Sequence, residues 1–85
     1  MTNIQADDIS RELCTYIKGN IVDKKLTVEP DTSFSQIGID SLSTIELVLF
    51  IERKFSIVLP EEELIPENFK SAHTLALCAH RYFNP

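Results

Sequence analysis

No stretch of the 85 residues stays apolar long enough to span a bilayer or to form the core of a signal peptide. The expectation is a cytosolic protein with no membrane partner. Also missing are the Gly-x-Ser-x-Gly elbow of hydrolases, a glycine-rich phosphate loop and any set of ligands at metal spacing. Basic side chains are scarce. Eight Lys and Arg against thirteen Asp and Glu leave a formal net charge of −5, which disfavours nucleic acid and steers the chain towards basic protein surfaces. The two cysteines, Cys14 and Cys78, have neither zinc nor redox spacing. Both fall in predicted helices, where a thiol in a reducing compartment serves as a small hydrophobe against the core. His73 and His80 stand seven apart with no carboxylate or cysteine at ligand spacing, which points to surface or partly packed histidines rather than a metal pair.

A chain of this length makes one domain, residues 1–85, and buries only slightly more than about 60% of its unfolded surface. At roughly 0.05–0.15 kcal/mol per residue its total stability is about 4–13 kcal/mol, so one badly placed core change can unfold it. The apolar fraction, 44%, is that of an ordinary globular protein and suffices for a single core.

The periodicity predicts an all-α fold: a small four-helix bundle of three longer helices and one short one, with a long loop between the first and second. Ile9, Leu13, Tyr16 or Ile17, and Ile21 recur at three- and four-residue steps behind Asp7 and Asp8, marking an amphipathic first helix. Gly19-Asn20 suggests a stop, yet Ile21-Val22 continue the pattern, and the later end, near residue 23, is taken. From Lys24 to Asp40 no period holds. Phe34 and Ile37 should tuck under the helices and pin this connection, offsetting the entropy of ordering it.

Ser41 to Phe55 is the second helix, with Leu42, Leu47, Val48, Ile51 and Phe55 able to share one side and Ile45 and Leu49 on a second stripe. A helix with two apolar sides in so small a bundle is either central and wrapped, or leaves a face for a partner. Phe55 to Pro60 reads as a connector with Leu59 as a core plug, because a lone strand has nothing to pair with. Glu61-Glu62-Glu63 reads as a solvated face opening a short helical segment, Phe69 as the anchor of a short third helix or turn after Pro66, and Ser71 as an N-cap. Leu75, Cys78, Ala79 and Tyr82 mark a last helix from Ala72 to Phe83, ended by Asn84-Pro85.

One stretch concentrates the chemistry. Turn formers Asp31, Thr32, Ser33, Ser35 and Gly38 run into the second helix, so Asp40 and Ser41 fall at its N-terminus. A hydroxyl there lies beside unpaired backbone N–H groups and the positive end of the helix dipole, which favour an anion such as a phosphodiester.

The run Gly38-Ile39-Asp40-Ser41-Leu42, with Glu46-Leu47 and Ile51-Glu52 before Phe55, resembles the acyl carrier and peptidyl carrier protein family, whose core motif is Gly-x-Asp-Ser-Leu. Asp31-Thr32-Ser33-Phe34 upstream and Leu59-Pro60 downstream extend the likeness over nearly the whole chain. The resemblance implies phosphopantetheine esterified to Ser41, Asp40 in contact with the transferase that attaches it, and a docking surface of Leu42, Ile45, Glu46, Leu49 and Arg53. It also implies a non-catalytic, monomeric carrier. A phosphopantetheinyl transferase would install the arm from coenzyme A, a ligase would load an acyl or aminoacyl group as a thioester, and downstream synthase enzymes would take it. Such a shuttle needs small, charge-steered, transient contacts, with which the acidic balance agrees.

Two departures from the fatty-acid type bear on the pathway. Arg53-Lys54 stand where that type is usually acidic, and Pro66-Glu67-Asn68-Phe69 looks more like polyketide and peptide synthetase carriers. A dedicated polyketide, nonribosomal peptide or aminoacyl pathway is therefore favoured over fatty-acid synthesis. Two rivals come from other classes. One is an unmodified helical interaction module that docks through Ile45 and Leu49 with Ser41 as a simple cap; the other is a small serine hydrolase, which would need His73 or His80 as its base.

Overall fold

The computed structural model describes residues 4–83. Its elements follow the chain as helix α1 (Ala6–Asn20), a 3-10 turn at Phe34–Ile37, helix α2 (Ser41–Phe55), 3-10 turns at Glu61–Glu63 and Pro66–Phe69, and helix α3 (Ala72–His80). Among the described residues there is no strand, only one isolated bridge between Lys18 and Val22.

Each helix begins where its sequence supplies a cap. At α1 the Asp8 carboxylate accepts the Gln5 backbone N–H at 2.8 Å and pairs with Arg11, and that backbone hydrogen bond above all holds the carboxyl below its ordinary range. The expected late end of α1 is not observed. Lys18 (ψ 120°) and Gly19 (φ 90°) leave the helical region, and the amides of Ile21 and Val22 both turn back to the Ile17 carbonyl. Glycine takes the left-handed conformation without steric cost, so the reversal prevails over the apolar pattern, and Ile21 and Val22 pack against the core as part of a turn.

The core lies between α1 and α3, the most extensively packed pair. Ile9, Leu13 and Ile17 from α1 meet Leu75, Ala76, Cys78 and Ala79 from α3, while α2 contributes Leu47 and Ile51. Ile57 and Leu59 plug the core from the connector, as expected of Leu59. Cys14 and Cys78 are buried free thiols, and burial pushes both above the ordinary thiol range.

The Ile21–Asp40 connection is held at named points. Phe34 is 2% exposed with its N–H on the Lys70 carbonyl at 2.8 Å, Val28 and Ile39 are buried, and the Pro30 carbonyl accepts the His73 N–H at 2.7 Å. Ile37 packs half-buried against the same core. The segment that delivers Ser41 is thus fastened to the start of α3. Gly38, at φ 79°, closes the Phe34–Ile37 turn by donating its N–H to the Phe34 carbonyl, which turns the chain into α2.

The last third departs from expectation in two ways. The short helix or turn expected at Phe69 is one 3-10 turn of four residues with Pro66 at its first position and Phe69 half-buried as its anchor, so the described residues hold three α-helices rather than the expected bundle of four. Helix α3 stops at His80 rather than Phe83, because the amides of Arg81, Tyr82 and Phe83 switch to carbonyls three residues back. Tyr82 therefore lies outside the helix and is exposed. The proposed stop at Asn84-Pro85 lies outside the described residues. Ser71 caps α3 as expected, its Oγ accepting the Thr74 N–H at 3.3 Å while Thr74 Oγ1 accepts the Ser71 N–H at 3.0 Å. Ser71→Ala should cost about 1 kcal/mol in a urea titration, and an unchanged midpoint would mean that the reciprocal pair contributes nothing.

Candidate functional site: the serine at the head of the second helix

Asp40 is the N-cap of α2 and Ser41 its first helical residue. The Asp40 carboxylate accepts the Ser43 N–H at 3.0 Å, and this hydrogen bond leads the interactions that hold its carboxyl below the ordinary range. Three hydroxyls crowd this turn, and their surroundings separate them. Thr44 Oγ1 is committed to the Ser41 carbonyl at 2.7 Å, Ser43 is partly buried, and Ser41 is exposed. Ser41 alone of the three combines an open position with the first turn of the helix.

From Ser41 an apolar groove of about 510 Å³ runs between α2 and the connection to α3. Thr44, Ile45, Val48 and Leu49 form one side; Leu64, Ile65, Pro66 and Phe69 form the other. Of the residues singled out from the sequence, the structure brings Ser41, Ile45 and Leu49 together here. Leu42, Glu46 and Arg53 do not line the groove, although all three are exposed on α2.

The second apolar stripe is real: Ile45 is 56% and Leu49 51% exposed. Leu42, grouped above with the core-side residues, is 77% exposed and takes no part in the core. At about 100° per residue it stands about 180° round the helix from Ile51 and about 140° from Leu47, so it faces away from them. Glu46 is tied across to α1, its Oε2 accepting the Tyr16 hydroxyl at 2.9 Å, and Tyr16 stacks on Phe50 with ring centroids 4.3 Å apart. That carboxylate raises the Tyr16 hydroxyl above the ordinary phenol range. Lys54 reaches Glu12 at 3.5 Å, so the basic end of α2 is also anchored to α1.

The wall formed by Leu64, Ile65 and Pro66 was not read from the sequence as part of a site. The apolar run directly behind three glutamates is the signal that could have found it. Nor is the acidic turn only a solvated face. Glu63 accepts hydrogen bonds from Asn68, Arg81 and Tyr82, with Tyr82 the foremost cause of a carboxyl held below its ordinary range.

Neither His73 nor His80, one of which a hydrolase reading would need as its base, lines the groove at Ser41. His80 Nε2 lies 3.0 Å from the Ile4 carbonyl, and its ring stacks near Phe83. Among the described residues no group of three or more His, Cys, Asp and Glu side chains is placed to hold a metal ion, and no helix is long and apolar enough to cross a membrane. An exposed hydroxyl at a helix N-terminus suits a covalently tethered anionic group, with an apolar groove beside it.

A protein-family model described as "Phosphopantetheine attachment site" matches residues 11–79. The chain belongs to that family. Its prosthetic group is accordingly phosphopantetheine, held covalently, and the exposed head of α2 fits such a group. Similar proteins are carriers too. Aminoacyl carrier protein 1 of Bradyrhizobium diazoefficiens is 30% identical over 70 residues, 80% of this chain and 78% of that protein. The acyl carrier protein of Rickettsia bellii (strain RML369-C) is 33% identical over 60 residues, 69% of this chain and 70% of the relative. Among solved structures, a chain in the crystal structure of Bradyrhizobium japonicum glycine:[carrier protein] ligase complexed with glycylated carrier protein is similar with a TM-score of 0.68. That match is at 26% identity, covering 86% of this carrier and 96% of the matched chain.

Proposed function

We propose that this carrier holds its phosphopantetheine on the Ser41 oxygen and bears an aminoacyl or small acyl group for a dedicated biosynthetic pathway. One observation carries the placement: Ser41 is the exposed hydroxyl in the first turn of α2, while Thr44 is already bonded and Ser43 is partly buried. The arm supplies a terminal thiol on which a carboxylic acid is held as a thioester. The protein's own residues do the rest. The N-terminal end of α2 favours the phosphodiester charge, Asp40 keeps the first turn capped and meets the transferase, and Leu42, Ile45, Glu46, Leu49 and Arg53 receive partner enzymes.

Likeness to an aminoacyl carrier protein, and to a chain from a crystal structure of a glycine:[carrier protein] ligase with its cognate carrier protein and an analogue of glycyl adenylate, supports a loading ligase that activates a small amino acid as its adenylate. Arg53 and Lys54 at the end of α2 support a partner surface that is not uniformly basic. A cytosolic monomer that passes its cargo to synthase enzymes of polyketide or peptide type completes the reading. A fatty-acid carrier is the alternative.

The test has two arms. After treatment with coenzyme A and a broad-specificity phosphopantetheinyl transferase, peptide mapping should place the added mass on Ser41 rather than Ser43 or Thr44. The loaded protein is then offered a panel of amino acids and acyl donors with adenylate-forming ligases. Acceptance of small amino acids supports the reading; acceptance of long acyl chains alone would move the carrier to lipid synthesis.

A further inference from the structure

The two sides of the groove are held very differently. On the α2 side, Ile45 and Leu49 stand on a fifteen-residue helix whose Leu47 and Ile51 are wholly buried. On the other side, Leu64 and Ile65 are 43% and 42% exposed, and they lie between two 3-10 turns of three and four residues. Apart from Phe69, that wall has little burial to fix it.

The Pro66–Phe69 turn packs on α3 and its Asn68 carbonyl accepts the Thr74 hydroxyl at 3.3 Å, but the side chain with most ties to this wall is Glu63. Its Oε1 accepts Asn68 Nδ2 and Arg81 Nη2, both at 3.1 Å, and lies 3.7 Å from the Cys78 thiol, while its Oε2 accepts the Tyr82 hydroxyl. Asn68 Nδ2 also donates to the Glu63 carbonyl at 2.7 Å. One carboxylate thus joins both 3-10 turns to the end of α3. Hydrogen bonds to an ionised acceptor are the stronger kind; the Glu63 side chain is 21% exposed, whereas Arg81 at 59% leaves that arm of the clasp open to water.

We propose that Glu63 is a positioning residue that clasps the Leu64–Phe69 wall to α3 and so sets how wide the groove beside Ser41 stands open. The mechanical statement concerns the wall alone; its bearing on the arm and cargo rests on the carrier reading. Release of the clasp would let the wall swing out while α1, α2 and α3 stay packed, since their core does not pass through Glu63. Of the groups facing Glu63, Cys78 and Tyr82 are held above their ordinary values and stay neutral in acid, Asn68 does not ionise, and Arg81 presents its guanidinium. On its own turn Glu61 and Glu62 are exposed. A carboxyl whose folded value is depressed contributes fully above its unfolded value, and that contribution is lost as pH falls through the folded one. The clasp is therefore closed at neutral pH and opens in acid.

Amide hydrogen exchange tests this on the full chain. The Leu64 and Asn68 amides, bonded to the Glu61 and Ile65 carbonyls, report the wall, and Leu13 and Ile17 report the core. Glu63→Gln should lower protection at Leu64 and Asn68 about tenfold while the core amides stay within about twofold. Tyr82→Phe, which removes one hydroxyl and keeps the charge, should have a smaller effect of the same kind. Wild-type wall protection should fall in acid before core protection does, and the Gln variant should lose that pH dependence. Unchanged wall amides in both variants, equal loss in wall and core, or a pH profile shared by wild type and variant would each overturn the proposal. Intact mass after transferase treatment is read separately: a bare Ser41 removes the carrier reading and leaves the exchange result standing.

Discussion

Leu47→Ala should destabilise the carrier by about 2–5 kcal/mol, whereas Leu49→Ala, two positions along the same helix, should change stability by no more than about 0.5 kcal/mol. Both are leucines in the middle of α2. The difference lies in what surrounds them: Leu47 is fully buried in the core, and Leu49 is half exposed at the groove. Against a total of roughly 4–13 kcal/mol, the first change takes much of the margin of so small a domain. Urea unfolding followed by helical circular dichroism reads both values. Equal losses would mean that the second stripe of α2 is packed rather than presented.

The second large effect concerns that stripe. Ile45→Asp and Leu49→Asp should leave the fold intact, since a charge placed there remains in water, yet each should lower the rate of loading by a partner ligase roughly 30-fold. That is the size expected when an apolar anchor worth about 2 kcal/mol is removed from a small interface. Single-turnover loading on the arm-bearing protein, with circular dichroism on the same samples, separates the two outcomes. Unfolding would place these residues in the core, and unimpaired loading would move the docking surface elsewhere on the molecule.

What the sequence made legible follows the range of the interactions involved. Ser71 was readable as a cap, and Asp40 and Ser41 as the start of α2, because a helix start is settled within a few residues; that Asp40 rather than Ser41 is the cap comes from the structure. Phe34 and Leu59 stood out as apolar residues in polar or turn-rich surroundings, and both are buried. The end of α1 was misread because Ile21 and Val22 keep the helical period, while the deciding event is the left-handed backbone of one glycine two residues earlier. Leu42 was grouped with Leu47 and Ile51, yet at about 100° per residue it stands nearly opposite them on the helix, and it is exposed.

The remaining differences come from contacts far apart in sequence. Glu46 and Tyr16 are thirty residues apart, and Glu63 meets Tyr82 across nineteen, so neither pairing has a local signature. The groove itself joins α2 to a segment some twenty residues later. Family resemblance pointed to the modified serine and to a docking face, but the opposite wall and its clasp belong to tertiary structure. The same limit applies to the three consecutive glutamates: Glu61 and Glu62 are the solvated residues the charge pattern suggested, and the third is drawn inward by partners no window of sequence contains.

The central claim is the covalent bond at the head of α2, and intact-mass spectrometry tests it most directly. Wild type and Ser41→Ala are incubated side by side with coenzyme A and a competent phosphopantetheinyl transferase. The wild type should shift completely by the mass of one phosphopantetheine, and the alanine variant, folded by circular dichroism, should not shift at all. A wild type that stays at its starting mass, or a Ser41→Ala protein that gains the arm, would contradict the account.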